Sequence, residues 1–366
     1  MSTNKKIHVA VIFNEPTIQT SEGRKFISEA GVLETSLSQH KQQTSNQESL
    51  IDMSEVGVLE EREDVQLALQ SLGYQTSLFN VSNDISKLIE FLSEEKPDLI
   101  FNLVEGLGEK AIHEMHVAGI YELFEIPYTG SSPLTFGSCL NKVRTKEILS
   151  YHNIPTPKFR FYKNILQLTE HNFDLQFPLI VKPSREDASI GIENSSIVKN
   201  FSELKQRVMF IFEEYEQPAI VEEYIEGREL NVAIIGNKNL QVLPISEIDF
   251  STLPDDYPKI VTYNAKWMKG TPEYEGTKGK CPAELSSEVE HRVKEIALQA
   301  FQIMECRDYA RVDIRLTSDD KPFVLEVNPN PDICDDAGFM RSATTYGFSY
   351  NDVIGKIVEF ALERKV

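Results

Sequence analysis

The segment Ala310-Arg311-Val312-Asp313-Ile314-Arg315, followed by Phe323-Val324-Leu325-Glu326-Val327-Asn328 and the exit Pro329-Asn330-Pro331, constrains this chain most. Each half alternates apolar and polar residues, the period of a β-strand. Residues 316–322 between them carry Ser-Asp-Asp-Lys-Pro, a turn composition, so the two strands are expected to form an antiparallel hairpin. Alternation puts Arg311, Asp313 and Arg315 on one face. Glu326 and Asn328 also share a face, and strand pairing would bring them beside Asp313. Asp, Glu and Asn together offer hard oxygen ligands without His or Cys. That donor set suits Mg2+, which is held by carboxylates and substrate phosphates. A hairpin with one solvated polar face would show the same pattern. The apolar flanks on both strands and the Asn-Pro-Asn-Pro exit favour a built site.

The rest of the chain excludes several classes of function. Its 366 residues suffice for two or three compact units. The formal net charge of −20, from 57 acidic and 37 basic residues, argues against non-specific binding to nucleic acid or to an anionic membrane. Both of those need a basic surface. A local basic pocket for a nucleotide remains compatible with that charge. No apolar run approaches the roughly 20 residues that span a bilayer. The opening residues lead into a short strand-like run at 7–13 and show no signal-peptide core, so a cytoplasmic protein is expected. Cys139, Cys281, Cys306 and Cys334 are widely spaced, with no Cys-x-x-Cys, which points to a reducing compartment and no zinc site.

Strands and helices alternate through the first third, the signature of a parallel α/β unit. Residues 7–13, 74–79 and 99–104 read as strands, and 58–72 and 85–92 as helices. Ligand-facing loops of such a unit lie at strand C-termini, which here include Glu105-Gly106-Leu107-Gly108. Residues 17–54 are rich in Gln, Ser, Thr and Glu with little periodic apolar content, and read as a mobile insertion. Three domains are expected: an N-terminal parallel α/β domain over 1–125, a small central α+β domain over 126–218 and a C-terminal α+β domain over 219–366.

Lys182 closes an apolar strand just before a Ser/Asp/Ala/Ser/Gly loop, a position suited to an ammonium reaching a phosphate while loop N–H groups cover it. Glu222 and Glu229 flank Tyr224-Ile225, which combines acceptors for an adenine amine and ribose hydroxyls with an apolar shelf for the ring. Lys142 and Lys266 add cationic reach. Taken singly, each of these is more often an ordinary surface residue.

Taken in order, the set resembles the ATP-grasp fold and, within it, the D-alanine–D-alanine ligase family. The resemblance begins near Pro97 and runs through Phe101-Asn102, residues 126–131, 154–157, 178–183 and 221–229. It continues through Asn264-Ala265-Lys266-Trp267, Cys281-Pro282-Ala283, residues 309–313 and 325–329. It implies that Lys142, Lys182 and Ser189 hold ATP phosphates, and that Glu222, Tyr224, Ile225 and Glu229 hold adenine and ribose. Lys266 would sit in a loop that covers the nucleotide. Asp313, Glu326 and Asn328 would bind two Mg2+, replaceable by Mn2+, and Arg311 would stabilise the negatively charged intermediate, joined by a backbone N–H near Asp332. The implied activity is ATP-dependent joining of a carboxylate to an amine, with a mobile cover over 253–276 to exclude water. A homodimer joined through the N-terminal units is implied as well.

The amino-acid pocket departs from the family pattern. Glu105 stands where the family has a His, Ala188-Ser189 where it has Ser-Ser, and Trp267 where it has Tyr. Glu15, after the first strand, is the candidate for the family's N-terminal Glu. Ala337 stands where the family has a Ser that binds the second substrate's carboxylate. Asp335-Asp336 precede it and would repel a carboxylate unless Arg315 or Arg341 screened them. These changes point to amino-acid or amino-acid-bearing substrates other than two D-alanines, with Glu105, Asp335 and Asp336 favouring a cationic or amine-rich group. For Asp335-Asp336, capping of a following helix is the plain alternative. The alternatives for the whole chain are an authentic D-alanine–D-alanine ligase and a nucleotide-binding regulatory protein without turnover.

Overall fold

A computed structural model describes residues 6–15, 17–20, 23–26, 57–108 and 110–364. The chain divides into two compact units, Met1–Thr129 with Tyr350–Val366, and Gly130–Ser349.

The first unit contains β1 (His8–Phe13), β2 (Thr17–Thr20), β3 (Gly23–Phe26), α1 (Val58–Ser71), β4 (Gln75–Asn80), α2 (Ile85–Glu95), β5 (Leu99–Leu103) and α3 (His113–Leu123). Strands β4, β1 and β5 form a parallel sheet in that order. Residues 9–13 and 99–103 are buried, as near-continuous apolar strands of a parallel sheet must be. The C-terminal helix, Tyr350–Glu363, packs on α1 and β5 through a stripe that includes Val353, Ile357 and Ala361. Of the insertion expected over 17–54, the antiparallel hairpin β2–β3 is described. The remainder lies outside the described residues.

The second unit begins with α4 (Pro133–Leu140), α5 (Lys142–Tyr151), β6 (Phe159–Tyr162), β7 (Leu179–Pro183), β8 (Ile197–Val198), α6 (Phe201–Glu214) and β9 (Ala219–Glu223). Its first sheet has the order β6-β9-β7-β8 and is antiparallel throughout. Helix α6 closes the core over this sheet with Leu204, Val208 and Ile211. The chain continues with β10 (Arg228–Ile235), β11 (Gln241–Val242), β12 (Ser246–Asp249), α7 (Tyr263–Trp267), α8 (Pro272–Glu275), β13 (Lys278–Lys280), α9 (Ser287–Ile303), β14 (Tyr309–Leu316), β15 (Pro322–Asn328) and α10 (Gly338–Tyr346). Its second sheet has the order β13-β12-β10-β14-β15, and the expected hairpin supplies its last two strands.

Candidate active site

The second sheet has two unlike faces. Leu230, Val232, Ile234, Val312 and Ile314 enter a core closed by Val289, Val293 and Ala297 of α9. The alternate residues Glu229, Asn231, Arg311, Asp313 and Arg315 therefore occupy the opposite face. The hairpin register sets Arg311 opposite Asn328 and Asp313 opposite Glu326. A register shift follows Asp313, and Leu325 is left without a partner, the geometry of a β-bulge. Val324 and Val327 both enter the core although they are three residues apart. Strict alternation would have put Glu326 on the face of Val324; the bulge turns it to the polar face instead.

Asp313 is the hub of that face. Its Oδ1 accepts from Arg311 Nε and from Asn231 Nδ2, both at 2.8 Å. Its Oδ2 accepts from Arg311 Nη2 at 2.9 Å and from Asn328 Nδ2 at 3.0 Å. Burial alone would lower the pKa of Arg311, but the Asp313 carboxylate outweighs it and holds the guanidinium above its ordinary value. Lys142 Nζ donates to Glu326 Oε2 at 3.2 Å. Burial pushes the Glu326 carboxyl up; Lys142, then Lys266, Lys182 and Arg311, overcome it and hold it well below the usual carboxylate range. Four cations from α5, α7, β7 and β14 thus act on one carboxylate. In return, Glu326 outweighs the burial of Lys142 and raises its pKa. Asp187, in the loop after β7, faces Lys142 and Lys266, while burial pushes its carboxyl up.

Glu222 is buried between Lys182 Nζ and Lys146 Nζ, each 3.3 Å from its Oε2. Burial raises its pKa, and the two lysines, Lys146 first, bring it below the ordinary value. Among the described residues its buried Oε1 has no hydrogen-bond partner. Sequence reading did not single out Lys146. Its signal is spacing: four residues after Lys142 on α5, it lies one turn along the same face. It is 1% exposed and donates to Thr156 Oγ1 at 3.0 Å and to the Leu325 carbonyl at 3.3 Å. Burial lowers its pKa to about 8.

Tyr224 and the half-buried Ile225 follow β9. The Tyr224 hydroxyl donates to the Lys259 carbonyl at 3.3 Å, and burial raises its pKa. Glu229 pairs with Arg315 at 3.2 Å, and burial pushes its carboxyl up. Arg315 also donates to the carbonyls of Gly227 and Lys259, so it is committed to this corner and not to Asp335-Asp336.

The expected cover over 253–276 folds around α7 and α8. Thr262 and Thr271 cap these helices through Ala265 N and Tyr274 N. The cover is bonded to the loop after β7. Ser189 Oγ donates to the Val261 carbonyl at 3.0 Å, Tyr263 N to the Ile192 carbonyl at 2.9 Å, and the Trp267 indole N–H to the Ala188 carbonyl at 3.0 Å. Ala188 and Ser189 sit at φ 48° and 62°, left-handed backbone that side chains other than glycine rarely adopt. Lys266 precedes Trp267 on α7.

The second unit therefore brings together Lys142, Lys182, Glu222, Lys266, Arg311, Asp313, Glu326 and Asn328. The remaining substrate candidates are spread more widely. Asp332 accepts from Cys334 N at 2.8 Å and acts on Arg311 through its charge. Asp335 and Asp336 are exposed, and α10 begins at Ala337 with no side-chain cap, so neither caps the helix. Glu15 and Glu105 belong to the first unit. Glu15 follows β1 and is ion-paired with Arg62; Glu105 follows β5 and is exposed.

A family model described as D-ala D-ala ligase C-terminus matches residues 149–359. The chain is 31% identical to the D-alanine–D-alanine ligase of Desulforudis audaxviator over 81% of this chain and 91% of that protein. The chain belongs to the D-alanine–D-alanine ligase-like family of ATP-grasp enzymes. It is also 35% identical to the uncharacterized protein y4sG of Sinorhizobium fredii, over 82% of this chain and 87% of that one. The D-alanine–D-alanine ligase of Bacillus anthracis complexed with ATP superposes with a TM-score of 0.72 over 99% of both chains at 24% identity. VanG D-Ala:D-Ser ligase from Enterococcus faecalis superposes at 0.69 over 98% of this chain and 100% of that one, at 21% identity. The α/β ATP-grasp fold expected from the sequence is therefore the fold of this family member.

Proposed function

We propose that this protein is an ATP-dependent carboxylate–amine ligase that works through an acyl phosphate, and that its substrates are not two D-alanines. The observation that carries this reading is the convergence of Lys142, Lys182, Lys266 and Arg311 on Glu326, beside Asp313 and Asn328. Transfer of a γ-phosphoryl group to a carboxylate needs charge neutralisation and alignment rather than a protein nucleophile. The orphaned Glu222 Oε1 fits an adenine amine as donor, and the oxygen set of Asp313, Glu326 and Asn328 fits Mg2+ or Mn2+. A bound divalent ion would neutralise phosphate charge and align the transferred group.

In this reading the chain's own residues divide the work. Lys142, Lys182 and Ser189 hold phosphates, while Glu222, Tyr224, Ile225 and Glu229 hold the nucleoside. Lys266 is carried in over the phosphates by α7, and the cover keeps water from the acyl phosphate. An amine then attacks the acyl carbon, phosphate leaves, and Arg311 meets the oxyanion that forms. Residues 1–125 serve as the substrate domain, 126–218 as the nucleotide-covering part and the segment from 219 onward as the catalytic part. The protein acts in the cytoplasm as a homodimer.

An authentic D-alanine–D-alanine ligase is the second reading, favoured by the named relatives. The two separate in one experiment: ADP release with Mg2+-ATP across D- and L-amino acids, singly and in pairs, with mass spectrometry of products. Turnover with D-alanine alone at ordinary efficiency supports the second reading and removes the first. Turnover only with another pair does the opposite. Metal-dependent ADP release with an amine acceptor also excludes a purely regulatory nucleotide-binding role.

A further inference from the structure

Arg341 of α10 is a cation that the proposed mechanism does not use. Its Nε donates to Ser246 Oγ on β12 and its Nη1 to the Asp336 carbonyl, each at 2.9 Å. The guanidinium lies on Gly279 of β13, where a Cβ would stand 1.9 Å from Arg341 Cζ. Among the described residues its Nη2 has no hydrogen-bond partner and no carboxylate pairs with it. Burial and then Arg311 lower its pKa, against a weaker opposing pull from Cys281 and Asp336. The two arginines meet beside Gly338. A Cβ there would lie 3.5 Å from Arg341 Nη2, 3.6 Å from Arg311 Cδ and 3.1 Å from Asn231 Oδ1.

Asp313 is bonded to Arg311, Asn231 and Asn328, and no hydrogen bond joins it to Arg341. Asp335 and Asp336 are exposed; Asp336 acts on Arg341 through its charge, but only its backbone carbonyl is hydrogen-bonded to it. Two guanidinium groups held together in a partly buried place, one of them without a hydrogen-bonded carboxylate, favour an anion between them. Strand order adds a direction. The Arg341 anchors are on β12 and β13, and the acidic set is on β14 and β15. An acceptor held by its carboxylate at Arg341 would have its amine directed across β10 toward the reacting edge.

Resting on the ligase reading, we propose that Arg341 and Arg311 form a two-guanidinium subsite that binds a carboxylate of the amine acceptor. Arg341 then takes over at Ala337 a task for which that residue has no hydroxyl.

The test uses the full-length protein with Mg2+-ATP and a panel of neutral amino acids, acidic amino acids and their carboxamides. Acceptors with a free carboxylate should be used, and their carboxamides should show a KM higher by about tenfold or more, as expected for loss of a hydrogen-bonded charge. Arg341→Gln should raise the acceptor KM by a similar factor, leave the ATP KM unchanged and erase the preference for acid over amide. Arg341→Lys should restore part of it. If Arg341→Gln affects acidic acceptors alone, the bound group is a side-chain carboxylate; if it affects neutral ones equally, it is the α-carboxylate. Equal KM for acid and amide with the wild-type protein overturns the proposal, as does a variant that loses only kcat. If no compound supports ADP release, the ligase reading falls by itself. Calorimetry with the same compounds then decides the subsite: carboxylate binding that Arg341→Gln abolishes supports it, and no carboxylate binding by the wild-type protein overturns it.

Discussion

The proposed reacting edge of the second sheet and its proposed acceptor side are built on different principles. On the reacting edge, Lys142, Lys182, Lys266 and Arg311 surround Glu326, and each member of the set acts through charge. On the acceptor side, Ala337 carries no hydroxyl, and Arg341 holds Ser246 and a carbonyl. The difference teaches where such a site can change. Phosphoryl transfer has the same charge requirement for any carboxylate, so its residues are recognisable by type and order. Substrate recognition depends on which donors meet which acceptors, and a new set can serve on the same backbone.

If that division is right, damage to the reacting edge should outweigh damage elsewhere. Arg311→Met should lower kcat by about 100- to 1,000-fold, the scale of a lost oxyanion donor, while circular dichroism shows an intact fold. A loss under tenfold would place Arg311 outside the chemistry and erase the contrast.

Lys146 tests the buried boundary between the two sheets of the second unit. Burial lowers its pKa from the ordinary 10.5 to about 8. Between those values the unfolded chain carries a proton that the folded chain lacks, so this group's contribution to stability rises with pH. Glu222 has the same slope in a more acidic window: its depressed pKa stabilises at neutral pH, and that stability is lost as pH falls through the folded value. Urea midpoints of wild type and Lys146→Met at pH 7.5 and 9.5 check the first of these. The wild-type midpoint should gain on the variant's at the higher pH, and parallel behaviour would show that Lys146 keeps its proton.

The smallest effect belongs to the cover. Trp267→Phe keeps the ring but loses the hydrogen bond to Ala188, a change of about 1 kcal/mol. The ATP KM should rise by about fivefold with kcat little changed. A loss in kcat as large as that of Arg311→Met would move Trp267 from the cover to the reacting edge.

Much of this was legible in the sequence. Alternation along residues 310–328 showed the hairpin, which pairs as expected, and the types Asp, Glu and Asn are the ground for the proposed metal site. Lys182 and Glu222 were readable because each stands on an apolar strand that has no packing reason to include a charge. Composition also excluded a membrane-spanning helix, and no helix among the described residues is long and apolar enough to cross a membrane.

Other features are not written in local pattern. Strict alternation conflicts with Glu326 and Val324 facing opposite ways; the bulge at Leu325 resolves it, and that bulge exists only where β15 pairs with β14. Lys146 looks like any helical lysine until the Glu222 carboxylate, 76 positions along the chain, meets it at 3.3 Å. Arg315 and Arg341 were equal candidates to screen Asp335-Asp336; tertiary contacts assigned Arg315 to Glu229 and set Arg341 beside Asp336 and Arg311. The last helix shows its apolar stripe in sequence, but its partners α1 and β5 lie at the other end of the chain. Period and residue type follow from local geometry and chemistry, so the chain by itself determined the strands, the helices and the kinds of group the site contains. Which groups touch depends on segments far apart in sequence, and only the packed structure decided which charges are paired and which are left to bind.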